Sequence, residues 1–70
     1  MQYIHDPVSR RARALRLAHA LTQQELADQA GVSRHAILRL ETDARRTRPT
    51  TIRAVARALG VAPTAITIGS

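Results

Sequence analysis

Apolar residues along this chain recur at helical rather than alternating spacing, in stretches divided by turn residues. Between Pro7 and Ala20, Val8, Ala12 and Leu15 fall on one stripe, with Arg10, Arg11 and Arg13 on its flanks. Pro7 suits a first helical turn and Asp6 can cap it. The stretch "LTQQELADQAGVSRHAILRLE", residues 21–41, then holds two helix starts in close succession. Thr22 and Glu25 form a T-x-x-E capping box, and Leu21 and Leu26 occupy the two positions of a hydrophobic staple. This helix is expected to end near Ala30, where Gly31 supplies a left-handed residue. Ser33 caps the next helix, with Val32 and Ile37 as a second staple. Ser33 follows Thr22 by only eleven residues, which leaves room for two turns of the first helix.

From Thr42 to Pro49 the apolar period stops, so a loop is expected. "TTIRAVARALG" puts Ile52, Val55 and Leu59 on one face of a further helix that Gly60 terminates. Pro63 starts a short turn at "PTAI". The closing "ITIGS" is open between that turn's end, a frayed tail and a short strand. No other strand pattern, internal repeat or low-complexity linker is present. The expected fold is all-α: one compact domain over residues 1–70, a bundle of four to five short helices with its core at about 8–66. Ala27 and Gly31 are expected to let the two central helices approach closely, as a helix-turn-helix needs.

Around the helix at 34–41, Ile37, Leu40 and Ala36 point one way, toward a core. Arg34, His35, Leu38, Arg39 and Thr42 span an arc of about 140° on the other side. A basic helix that stands out from a small body fits a DNA major groove, which admits one α-helix. Leu38 is open between contact with a thymine methyl and an ordinary exposed leucine.

Composition narrows the choice of partner. With eleven basic and five acidic residues the net charge is +6, which favours a polyanion. All eleven basic residues are arginine, a choice that suits forked contacts to phosphate and guanine but equally a GC-rich genome. Tyr3 is the one aromatic residue, which argues against single-strand binding by base stacking. No cysteine is present, so neither a disulfide framework nor a cysteine-zinc site is expected. His5, His19 and His35 lack metal-ligand spacing, and no Gly-rich phosphate loop or nucleophile elbow occurs. No enzyme, cofactor, metal or small-molecule ligand is expected. The polar N-terminus does not read as a signal peptide, and the apolar runs are too short for a membrane span.

The residues 21–41, followed by "RP" and "LGV", resemble the Cro/phage-repressor helix-turn-helix family, also called the xenobiotic-response-element type, over roughly residues 8–66. The resemblance implies five helices, the second and third forming the DNA-binding unit. It implies that Gln23 contacts phosphate, that Arg34, His35, Leu38 and Arg39 occupy base-reading positions, and that Arg16 and Glu41 form a buried ion pair. Two positions depart from the family. Asp43 replaces a glycine after the recognition helix, and aspartate tolerates the left-handed geometry expected there. Ala20 stands where glycine often ends the first helix. Arg45, Arg46 and Arg48 are expected beside the phosphate backbone, and Arg53 and Arg57 on a solvated face.

These readings lead to an expected double-stranded DNA-binding regulator, a repressor or Cro-like switch in a prokaryotic or phage-infected cytoplasm, at the nucleoid. Its expected partner is a palindromic operator bound by a homodimer. The dimer contact is expected among Leu59, Val61, Ile66 and Ile68, and the alternation in "ITI" leaves open its pairing as a strand with its mate or with Gln2, Tyr3 and Ile4. The rival is an antitoxin or adaptor that uses the same fold to bind a protein through Leu38 and the apolar tail. Non-specific packaging of nucleic acid is disfavoured, because its charge would be spread rather than set on one helix and its adjoining loop.

Overall fold

The computed structural model describes residues 7–68. In chain order the elements are α1 (Pro7–Ala18), α2 (Gln23–Ala30), α3 (Arg34–Thr42), a single 3-10 turn at Ala44–Arg46, α4 (Pro49–Leu59) and α5 (Thr64–Thr67). The fold is all-α, and no strand occurs among the described residues. Asp6, the suggested cap of α1, and the Gln2–Tyr3–Ile4 segment lie outside them.

The helix starts follow their local sequence. Thr22 Oγ1 accepts from the Glu25 amide at 3.0 Å, and Glu25 Oε1 accepts from the Thr22 amide at 2.9 Å, closing the capping box. Ser33 Oγ accepts from the Ala36 amide at 3.0 Å. Pro49 opens α4 at the position where its missing N–H costs nothing.

Three helix ends share one geometry. After α1, α2 and α4 the chain turns through a left-handed residue, Ala20 (φ 56°), Gly31 (φ 73°) and Gly60 (φ 70°). The next amide bonds back to the last turn in each case: Leu21 to the Arg16 carbonyl, Val32 to Ala27 and Val61 to Ala56. Gly31 is needed for its φ and not for close approach, because a Cβ there would meet nothing within 4 Å. Ala27, fully buried, makes the tight packing. At Ala20 the L-residue carries the strain that glycine avoids. The helix itself stops at Ala18, two residues before the expected end.

α2 packs on α3 and α4, and α1 packs on α3 and α5. Leu26, Ile37, Leu40, Val55 and Ile66 are fully buried at the centre, with Ala12, Ala27, Ala56 and Leu59 between them. Each large aliphatic side chain there contributes about 1.5–3 kcal/mol over its exposed state. Val8, Leu15, Leu21, Val32 and Ile52 close the rim.

Of the three alternatives for the C-terminal segment, the structure takes the helical turn's end at Ile66 and Thr67. Residues 64–67 form α5 rather than a strand, with Ile66 fully buried. A short chain has few large apolar residues, so the bundle uses Ile66 and Leu59 in its own core and leaves neither for a partner. Arg11 secures this end, donating from Nε to the Ile66 carbonyl and from Nη2 to the Thr67 carbonyl, both at 2.8 Å. Carbonyls at a helix end lack internal partners, and the guanidinium supplies two donors to them.

Candidate nucleic-acid interface

α3 presents two chemically distinct faces. Ile37 and Leu40 are fully buried, while Arg34, His35, Leu38 and Arg39 are exposed. Leu38 keeps 40 % of its surface, more than its neighbours Ile37 or Leu40 could keep without opening the core. The body holds this helix through its last turn. Arg16 donates from Nε to Glu41 Oε2 at 2.7 Å and from Nη2 to Oε1 at 2.9 Å, a two-pronged pair with both residues buried. Arg16 Nη1 also donates to the Leu21 carbonyl at 2.8 Å, so one guanidinium joins α1, the α1–α2 corner and α3. The bond to Glu41 raises the Arg16 pKa further above its ordinary value, against the opposing effect of burial.

The loop after α3 folds back beside the exposed face. A hollow of about 250 Å³ is lined by His35, Leu38, Arg39, Thr42, Asp43 and Arg46. A second, of about 210 Å³, is lined by Ala36, Arg39, Arg46, Thr47, Arg48 and Thr51. Arg39 and Arg46 border both. Residues expected to read bases and residues expected to grip phosphate therefore meet in one basic surface. Thr47 and Thr51 join that surface without having been singled out in the sequence, and Thr47 Oγ1 is buried there with no hydrogen-bond partner. Spacing gave no sign of them, since the 3-10 turn brings them in.

The remaining site residues differ from one another. Arg34 is exposed at the first position of α3 and lines neither hollow. Arg45 turns to Asp43, Nε to Oδ1 at 3.4 Å, in a pair that is open to solvent on the arginine side. The three loop arginines are thus not equivalent. Gln23, at the first position of α2, is half-buried, and its Nε2 donates to Glu41 Oε1 at 3.4 Å. Its amide rests against the ion pair that anchors α3. Arg53 and Arg57 are exposed on α4. Asp43 does not adopt the left-handed geometry expected of it; its φ is −151° and its ψ 77°.

The profile of the helix-turn-helix family matches residues 13–66. The chain belongs to the Cro/repressor-type helix-turn-helix family. This is a family of DNA-binding transcription regulators and not of enzymes. In its terms α2 and α3 are the helix-turn-helix and α3 is the recognition helix. No curated protein matches the chain. Among solved structures, a chain of the "Structure of HipA-HipB-O2-O3 complex" is similar, with a TM-score of 0.73 at 25% identity. The likeness covers 89% of this chain and 90% of that one. Among the described residues no group of His, Cys, Asp or Glu could hold a metal ion, and no helix is long and apolar enough to cross a membrane.

Proposed function

We propose that this helix-turn-helix chain is a sequence-specific regulator of transcription, a repressor or Cro-like switch that reads a palindromic operator. The observation that carries this reading is the surface shared by Arg39 and Arg46 between the recognition helix and the loop behind it. Arg34, His35, Leu38 and Arg39 reach base edges in the major groove, where arginine pairs with guanine and an exposed leucine meets a thymine methyl. Gln23, Arg46 and Arg48 hold phosphates, which fixes the register in which α3 reads. Arg45 contributes to the same grip once phosphate replaces Asp43.

One recognition helix covers too few base pairs to select a site from a genome, so the working form on DNA is a two-fold dimer. Its half-sites lie about 34 Å apart, one turn of DNA. With Leu59 and Ile66 in the core, the contact falls to Ile68, which is 70% exposed, and to the half-buried Val61. Selection of bound sequences from random duplex DNA, followed by footprinting, tests both statements. The expected result is a palindrome protected on both halves. A selection that enriches no sequence overturns the reading, and a single unsymmetrical footprint from one bound copy overturns the dimer.

A second reading draws support from the similar solved chain, whose assembly by its title combines HipA and HipB with O2-O3. In that reading the fold also serves a protein partner, as an antitoxin or adaptor does. The two are separated by whether Arg39→Ala abolishes regulation or leaves it intact.

A further inference from the structure

The recognition helix ends unlike α1, α2 or α4. α1, α2 and α4 each stop at a left-handed residue, whereas Asp43 after α3 is extended. Nor does the local sequence require a stop. "ETDARRTR" holds no glycine or proline before Pro49, and Ala44, Arg45 and Arg46 are good helix formers. In a continuing α-helix the Ala44 N–H would bond to the Leu40 carbonyl, four residues back. A side chain from another helix stands between them instead. Ser9 Oγ on α1 donates to the Leu40 carbonyl at 2.8 Å and accepts from the Ala44 N–H at 3.1 Å. A hydroxyl has a donor and acceptor sites, so it can divide one helical hydrogen bond into two. Ser9 is fully buried, and water does not compete for either bond.

We infer that Ser9 is the positioning residue that stops the recognition helix and aims the loop arginines. By occupying the next hydrogen bond of α3, its hydroxyl forces the chain out of the helix at Asp43 and into the 3-10 turn. That turn places Arg46 and Arg48 beside Arg39. Without the hydroxyl, the Ala44 amide and the Leu40 carbonyl regain each other and α3 lengthens. Each residue added to the helix rotates the chain beyond it by about 100° and advances it by about 1.5 Å. Arg46 then leaves the two hollows that it shares with Arg39. The part of this inference that concerns DNA rests on the proposed function, and the part that concerns helix length does not.

Ser9→Ala tests it in two measurements. In backbone chemical shifts recorded without DNA, Asp43 and Ala44 move to helical values. In binding to the selected operator across a salt series, the slope of log K against log salt falls by about one unit for each arginine displaced, while the base preferences of α3 persist. Should Ser9→Ala fail to fold, Ser9→Cys keeps nearly the same size with weaker hydrogen bonding and shows the same changes in smaller degree. A folded variant whose Asp43 and Ala44 keep their original shifts overturns the helix stop. Helical shifts with an unchanged salt slope overturn the aiming of the arginines. If the unaltered protein selects no sequence, the proposed function fails, and the chemical shifts still decide the role of Ser9.

Discussion

The two ends of the recognition helix are held by different physics. At the start, Ser33 caps the amide of a residue three positions on, and Val32 packs on the core just before it. Every group involved lies within a few residues of the others. At the far end the partners come from α1: Arg16 grips Glu41, and Ser9 bridges Leu40 and Ala44. The start is set by a bond that closes locally. The end exists only when α1 is docked, which makes the length of α3 a property of the whole bundle. Anchoring the end through charge also leaves the exposed face free, since Glu41 is satisfied inside and Arg34 and Arg39 stay outside.

The largest effect should come from breaking the far end. Glu41→Gln leaves the Arg16 guanidinium buried without its counter-charge, which costs about 3–5 kcal/mol. Urea or thermal unfolding without DNA measures it, and an unchanged midpoint would remove the pair from the account of how α3 is anchored. The pH dependence has a defined sign. Because the Arg16 pKa is raised on folding, its contribution is complete below the ordinary arginine value. It is lost only as pH climbs through that raised value, so the neutral range leaves it intact.

A smaller pair of changes separates reading from gripping on the exposed side. Arg39→Ala should cost about 1–3 kcal/mol on the operator and relax the choice at one or two base pairs. Arg46→Ala should weaken all duplexes alike and lower the salt slope by about one unit. Equal losses on operator and random DNA for Arg39→Ala would place that residue with the phosphate contacts.

At the local end, Ser33→Ala should cost about 1 kcal/mol of stability, as loss of a cap does. Backbone shifts at Asp43 and Ala44 should stay as they are, because the far end does not depend on that cap. Smallest is Ala20→Gly, at the one helix end among the described residues that uses an L-residue in the left-handed region. Relief of that strain outweighs the greater freedom of glycine in the unfolded chain, for a gain of roughly 0.5–1 kcal/mol. A loss in chemical denaturation would mean that the Ala20 methyl packs better than its backbone suffers.

The helix starts, the order of the helices and the polarity of α3 were all legible in the sequence, because each is written in residues within two turns of one another. Thr22 with Glu25, Ser33, Gly31 and Gly60 punctuate the chain through bonds that close locally. The basic arc of Arg34, His35 and Arg39 follows from helical geometry alone. The Arg16–Glu41 contact was accessible only through family resemblance, since nothing in the spacing of the two residues joins them. The tertiary structure decided what depends on distant partners. Ser9 looks like any serine in a first helical turn, and its role arises from carbonyl and amide groups more than thirty residues away. Arg11 reads as one more surface charge, yet it closes the last helix through carbonyls at the other end of the chain. The residues of "ITI" left a turn's end, a tail and a strand open, and the burial of Ile66 in so small a bundle decided for the helical turn. Local hydrogen bonds fixed where helices begin, and packing between distant segments fixed where the recognition helix stops.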